Sequence, residues 1–210
     1  MGNFICIRGI GGVGKTTLAT QLGHYLSAQG LQVILVFGNG DLPPKEYLLT
    51  SDTQKKEDTS LGALLTHYEL TSDELYTGVS MLNDNFGIVG YNMGECLSDF
   101  PAITPFGKKR FLQCISNMAD IVIFDDFHEF FDYSVNIVNV LDASAKSASW
   151  LRRYGSKYDI NVMKLPYTDS LSVDVYLPVV DVPERISILQ NRRYSASIKK
   201  LADILLHTKK

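Results

Sequence analysis

Short runs of apolar residues alternate along the chain with longer segments in which apolar residues recur every three or four positions. The runs predict buried strands at 4–7, 33–37, 86–91, 120–126, 137–141 and 160–163. The periodic segments predict helices at 18–26, 61–67, 73–79, 104–118, 144–154 and 195–207. Residues 42–60 predict a mobile surface connection, and residues 172–182 predict a ribbon-like segment. Strands alternating with helices predict an α/β fold in which helices cover both faces of a mostly parallel sheet.

The first predicted strand and the first predicted helix are joined by the sequence Gly-Ile-Gly-Gly-Val-Gly-Lys-Thr-Thr at residues 9–17. This sequence fits G-x-x-x-x-G-K-[ST], the phosphate-binding loop, in which glycines let backbone N–H groups turn toward phosphate oxygens. Lys15 would reach the β- and γ-phosphates and act in catalysis. The residues expected to bind a nucleotide are Gly11, Gly12, Val13, Gly14, Lys15, Thr16 and Thr17.

A second motif predicts a magnesium site. Within residues 120–126 an apolar run leads to the acidic residue Asp125, which is the pattern of a Walker B strand. Parallel strands present their carboxyl ends at one edge of the sheet, so Asp125 is expected beside the phosphate loop. Asp125 and the Thr16 hydroxyl would then hold Mg²⁺. Asp126 follows directly, and we interpret it as a surface acid that lies close enough to assist Asp125.

The absence of two guanine-nucleotide signatures bears on the choice of nucleotide. The chain contains no Asn-Lys-x-Asp box, whose aspartate would accept hydrogen bonds from guanine. Asp125 is followed by Asp-Phe-His and not by the D-x-x-G switch. ATP, bound with Mg²⁺, is therefore the expected nucleotide.

Composition narrows the class of protein. The 210 residues suffice for one domain spanning 1–210, and a net charge of −3 argues against a strongly basic surface overall. Basic pairs on predicted helices keep DNA binding as a weaker hypothesis. Neither a secretory leader nor a membrane-spanning stretch is recognised, and the three cysteines lack C-x-x-C spacing, so we expect a cytoplasmic protein. The last helix is expected to pack on the sheet and not to anchor a membrane.

These motifs together resemble those of the ParA/MinD family of P-loop ATPases. Residues 11–19 are similar to the family's G-G-V-G-K-T-T core, residues 120–125 to its Walker B strand, and residues 177–205 to its C-terminal region. A narrower resemblance, at 60–94 and 165–167, is to CpaE/TadZ-type proteins of Flp/Tad pilus assembly. The family resemblance implies a homodimer that forms with ATP, separates after slow hydrolysis and positions DNA, a polar partner or pilus machinery.

Three positions depart from the pattern of the family. Its signature lysine, which reaches the phosphates of the partner subunit, is replaced by Ile10. Its D-x-D aspartates fall at Phe37 and Asn39. We therefore take Asn39 and Asp41 as catalytic candidates beside Lys15, with Asp41 acting if the turn bends back. The asparagine that contacts adenine in the family falls near residues 164–166 and is missing.

These departures leave several alternatives open. Arg8 either replaces the missing cation or has a structural role. The chain is either a slow ATPase that positions cargo or a hydrolysis-deficient nucleotide-binding scaffold, which Ile10 and Asn39 favour. A third hypothesis is a metabolite-directed enzyme of the same superfamily, such as a dethiobiotin-synthetase-like ligase, although the sequence indicates no substrate pocket for it.

Overall fold

Eight strands form one sheet within residues 3–38, 48, 59–134, 136–164, 171–179 and 188–207, which are the residues that this computed structural model describes. The strands are β1 (Asn3–Gly9), β2 (Val33–Phe37), β3 (Ser80–Asn83), β4 (Phe86–Val89), β5 (Ile121–Asp125), β6 (Asn136–Leu141), β7 (Ile160–Lys164) and β8 (Val175–Leu177). Their order across the sheet is β3-β4-β2-β5-β1-β6-β7-β8. Every neighbouring pair is parallel except β3 and β4.

Helices connect most of the parallel strands. They are α1 (Lys15–Ala28), α2 (Leu61–Thr66), α3 (Ser72–Thr77), α4 (Pro105–Ser116), α5 (Ala145–Tyr154) and α6 (Arg192–His207). The predicted start of α4 is confirmed, because the Thr104 hydroxyl accepts a hydrogen bond from the Gly107 N–H and Pro105 occupies the first turn. None of the helices in the described part of the chain is long and apolar enough to cross a membrane.

The sheet is buried on both faces because side chains alternate along each strand. Ile5 and Ile7 of β1 belong to the apolar core on the face covered by α1 and α6, whereas Cys6 belongs to the core on the opposite face, beneath α2 to α4. Leu35 and Val36 in β2 divide in the same way. Runs of consecutive apolar residues are therefore what this arrangement requires.

The predicted α/β fold is confirmed, with two differences in its elements. The sequence predicted one strand at 86–91, whereas β4 ends at Val89 and is preceded by the antiparallel β3. The ribbon-like segment at 172–182 contains the short strand β8, which lies parallel to β7. Most of the predicted surface connection at 42–60 lies outside the described residues.

Candidate nucleotide-binding site

Glycines shape the loop between β1 and α1. Gly12 has a φ of 76° and Gly14 a φ of 93°, both in the left-handed region. A Cβ atom on Gly9 would collide with the backbone carbonyl oxygen of Val140 in β6. Larger residues at these positions would therefore strain or displace the loop. The side chain of Val13 is buried in the core, so this residue offers a nucleotide its backbone, while Gly11 and Thr17 are exposed.

Lys15 is the first residue of α1, and its side chain folds back over the loop. The Nζ atom donates to the carbonyl oxygens of Gly9, at 3.2 Å, and Ile10, at 2.9 Å. It also forms an ion pair with Asp126 Oδ2 at 3.2 Å. The lysine charge is thus held at the loop and neutralised by a carboxylate of the same chain.

Thr16 and Asp125 meet at the carboxyl edge of the sheet, as the two motifs predicted. The Thr16 hydroxyl donates to Asp125 Oδ2 at 2.5 Å. Asp125 is only 2% exposed, and its other oxygen, Oδ1, is buried and has no hydrogen-bond partner among the described residues. A threonine hydroxyl beside an unpartnered carboxylate oxygen is a donor set that suits Mg²⁺, which prefers oxygen ligands.

Burial also sets the protonation of this carboxyl group. The pKa of Asp125 is raised to about 6, chiefly because burial removes the carboxylate from water. The Thr16 hydrogen bond and the Lys15 charge lower the pKa, and the nearby Asp126 carboxylate raises it, and the value of about 6 includes all of these effects. The ionised form of Asp125 therefore destabilises the folded protein, because its carboxylate is held in a poorly solvated position.

Asp126 does more than the sequence indicated. Its φ is 52°, an unusual conformation for a residue other than glycine, and its N–H donates to the Ile7 carbonyl oxygen at 2.9 Å. The turn brings the Asp126 carboxylate to Lys15. The interpretation of Asp126 as a surface acid near Asp125 thus missed its ion pair with the phosphate-loop lysine, since that contact depends on a turn which no local pattern announces.

We expect Asp126→Asn to strengthen MgATP binding about two- to fivefold, because the variant frees Lys15 from a partly exposed ion pair. Asparagine tolerates the left-handed conformation, so the turn should persist. Titration calorimetry would measure the change, with the exposed Asp132→Asn as the matched control. Weaker binding in Asp126→Asn would instead mean that Asp126 holds the nucleotide or its metal.

Arg8 has a structural role. The sequence left open whether it has this role or replaces the family's missing lysine. Its guanidinium donates to Asn139 Oδ1 at 2.8 Å, to the Tyr154 carbonyl oxygen at 2.6 Å and to Asp159 Oδ2 at 2.8 Å. It also lies over the rings of Phe131 and Trp150. The side chain is 12% exposed, and these contacts connect β1 to β6, α5 and the start of β7.

A second lysine, which the sequence analysis did not assign, lies beside the loop. A Cβ atom placed on Gly14 would lie 2.6 Å from Lys164 Nζ. Lys164 ends β7 two residues after Val162, so it lies on the same face of the sheet as Val162, which is buried on the α1 side. This spacing could have predicted the face of Lys164 from the sequence, although not its contact with the loop. The catalytic candidates Asn39 and Asp41 lie outside the described residues.

Comparison with known proteins agrees with this geometry. Residues 4–201 match the family model described as the CobQ/CobB/MinD/ParA nucleotide binding domain. No curated protein sequence gives a significant match.

Solved structures share the fold at low sequence identity. A ParA family ATPase from Chlorobium tepidum superposes with a TM-score of 0.73 at 13% identity, covering 99% of this chain and 100% of that one. MinD from Pyrococcus horikoshii, complexed with Mg-ADP, gives 0.69 at 15% identity over 97% and 96% of the two chains. Cobyrinic acid a,c-diamide synthase from Mycobacterium smegmatis, with a bound ATP analog and magnesium, gives 0.65 at 15% identity over 98% and 94%. The family model spans nearly the whole chain, which therefore belongs to the CobQ/CobB/MinD/ParA family of nucleotide-binding domains, with the fold of ParA and MinD ATPases.

Proposed function

We propose that this chain binds MgATP at the loop between β1 and α1 and acts in the cytoplasm as a nucleotide-dependent dimeric switch that positions a DNA, polar or pilus partner. The observation that carries the nucleotide assignment is the pairing of Thr16 with Asp125, which leaves one buried carboxylate oxygen without a partner in the described part of the chain. A metal ion that reached this oxygen would relieve an unsatisfied polar group.

Each residue of the site has a defined task in this proposal. Mg²⁺, when bound, neutralises charge on the β- and γ-phosphate oxygens. Thr16 and Asp125 would hold the ion, and the N–H groups at the start of α1 would donate to the phosphates. Lys15 exchanges Asp126 for the phosphates, which keeps its charge paired in both states. A γ-phosphate adds contacts that ADP lacks, and this difference would favour the dimeric state.

Bound ligands in relatives support the choice of nucleotide. The P. horikoshii MinD structure contains Mg-ADP, and the M. smegmatis synthase structure contains an ATP analog with magnesium. A plasmid partition protein from Borrelia burgdorferi, of the same fold, is bound to AMPPNP. Adenine nucleotides with magnesium are therefore the ligands to try first.

Lys15→Ala is expected to weaken MgATP binding about thirtyfold, because it removes charge-assisted hydrogen bonds to the phosphates. Titration calorimetry with ATP in excess Mg²⁺ would measure the change. Lys199→Ala, an exposed lysine on α6, is the matched control and should bind as the wild type does. Equal affinity in wild type and Lys15→Ala would overturn the assignment of the site.

A scaffold that binds ATP without hydrolysing it is a second candidate, and Ile10 favours it. The isoleucine occupies the position of the family's signature lysine and packs, partly buried, against the apolar core. It therefore adds no positive charge where the reaction would develop negative charge. Phosphate release measured together with molecular size in ATP and ADP separates the candidates. An ATP-dependent dimer that releases phosphate supports the switch, whereas the same dimer without release supports the scaffold.

Nothing among the described cavities favours the metabolite-directed alternative. A cleft of about 430 Å³, lined in part by His24, Asn83 and Leu189, lies at the amino edge of the sheet, away from the phosphate loop. The similarity to cobyrinic acid a,c-diamide synthase is one of fold at 15% identity. A fold alone does not choose between a switch and a synthase.

A further inference from the structure

A lysine from a distant part of the chain lies against the phosphate loop. Lys164 is the last residue of β7, and in the sheet β6 separates β7 from β1, the strand that leads into the loop. A Cβ atom on Gly14 would lie 2.6 Å from Lys164 Nζ and 2.9 Å from its Cε. The end of the lysine side chain therefore fills the space that a side chain at Gly14 would need. A glycine at position 14 therefore meets two requirements, because it adopts the positive φ and leaves room for the end of the Lys164 side chain.

The position of this ammonium group is unfavourable unless an anion is nearby. Gly14 is the N-cap of α1, where free N–H groups and the helix dipole create a positive potential. Lys15 adds another positive charge at the same turn. Two described carboxylates lie near the loop and both have partners, Asp126 in an ion pair with Lys15 and Asp125 in a hydrogen bond from Thr16. Within the described residues, Lys164 forms no hydrogen bond or ion pair. Lys164 is therefore a cation without a paired anion, among the described residues, at the positive end of α1.

We propose that Lys164 is a phosphate ligand of this site and that it supplies, from within the same chain, positive charge that Ile10 does not provide. The proposal rests on the proposed function, since it assumes that the loop binds a nucleoside triphosphate. A polyphosphate would pair with the Lys164 ammonium and with the free N–H groups at the start of α1, because the same N–H groups that disfavour a cation favour an anion.

Lys164 lies near the position of the asparagine that contacts adenine in the family, but its proposed contact is with phosphate. The missing asparagine falls near residues 164–166, and Lys164 reaches the phosphate loop. A contact with phosphates is independent of the base. Lys164 should therefore strengthen the binding of ATP, GTP and inorganic tripolyphosphate by the same factor.

The test is titration calorimetry of the full chain with ATP, GTP and tripolyphosphate in excess Mg²⁺. Lys164→Gln keeps most of the side-chain length and removes the charge, and we expect it to weaken all three ligands about tenfold. Lys164→Arg restores the charge and should stay within about threefold of the wild type. Lys199→Gln, on the exposed face of α6, is the control for net charge and should change none of them.

The thermal midpoint of the nucleotide-free protein gives a second readout. Lys164→Gln should not lower it, because the variant removes a cation from the positive end of α1 and breaks no ion pair among the described residues. A lysine that only packs on the loop would lower the midpoint when replaced and leave the affinities unchanged. That pattern would overturn the proposal.

The affinities themselves can also overturn the proposed phosphate contact of Lys164. Unchanged tripolyphosphate affinity in Lys164→Gln, or a loss confined to ATP with GTP unaffected, would overturn a phosphate contact. If Lys15→Ala loses affinity and Lys164→Gln does not, the proposed function stands and this inference fails. If the wild type binds none of the three ligands, both fail.

Discussion

Replacing Arg8 with alanine is expected to lower the free energy of unfolding by about 3 to 5 kcal/mol, the cost typical of removing one partner from a buried ion pair. Asp159 is 6% exposed in its side chain and would lose the guanidinium that neutralises it. Asn139 is fully buried and would lose the donor to its Oδ1 atom. The rings of Phe131 and Trp150 would lose the cation between them as well.

Urea denaturation of Arg8→Ala and wild type would measure this loss. Arg152→Ala is a suitable control, because Arg152 lies exposed in the last turn of α5 and should shift stability by less than about 0.5 kcal/mol. An Arg8→Ala protein that is as stable as the wild type but has lost its affinity for ATP would contradict the structural role. It would return Arg8 to the alternative that the sequence left open, a cation serving the nucleotide.

Asp125→Asn is expected to stabilise the nucleotide-free protein at neutral pH while it abolishes the effect of Mg²⁺ on nucleotide binding. Burial raises the pKa of Asp125 from the ordinary 3.8 to about 6. The folded state therefore binds a proton here more tightly than the unfolded state does. This contribution to stability is fully present below about pH 4 and is lost as the pH rises through about 6.

The amide removes the charge that burial disfavours and keeps an oxygen for the Thr16 hydroxyl. A shift of this size corresponds to at most about 3 kcal/mol, which in a protein of this length would raise the melting temperature by several degrees. Thermal unfolding of Asp125→Asn and wild type at several values of pH would show a difference that grows between pH 4 and 6. The exposed Asp132→Asn is the control. An Asp125→Asn protein that is less stable at neutral pH would contradict the cost assigned to the buried carboxylate.

The sequence motifs predicted the position of the site, but they did not predict all the residues that contact the phosphate loop. Thr16 and Asp125 could be placed together from the sequence, because the carboxyl ends of parallel strands share one edge of the sheet. Asp125 ends one predicted strand, and Thr16 lies in the loop motif that follows another. The contacts of Lys164 and Asp126 with the phosphate loop could not be predicted from the sequence in this way. Their contacts with the loop depend on a strand order and a left-handed turn, and both are properties of the folded chain.

The missed strand β3 has a different explanation. The segment Ser80–Asn83 is short and lacks a continuous apolar run, so hydrophobic periodicity gives it no signal. The two residues that join it to β4, Asp84 and Asn85, are typical of a tight hairpin turn and were the available indication. Turn chemistry is thus a better guide to this edge strand than its own side chains are.

The contacts of Arg8 also bear on the entropy of ligand binding. Arg8 directly precedes Gly9, and its hydrogen bonds attach the end of β1 to three other elements of the fold. The end of the phosphate loop that follows β1 is therefore fixed when the chain folds, and it loses little further conformational freedom when a ligand binds. A preorganised loop keeps more of its contact energy as affinity. Loosening this anchor should thus make binding entropically less favourable, even though the hydrogen bonds of Arg8 go only to other parts of the fold.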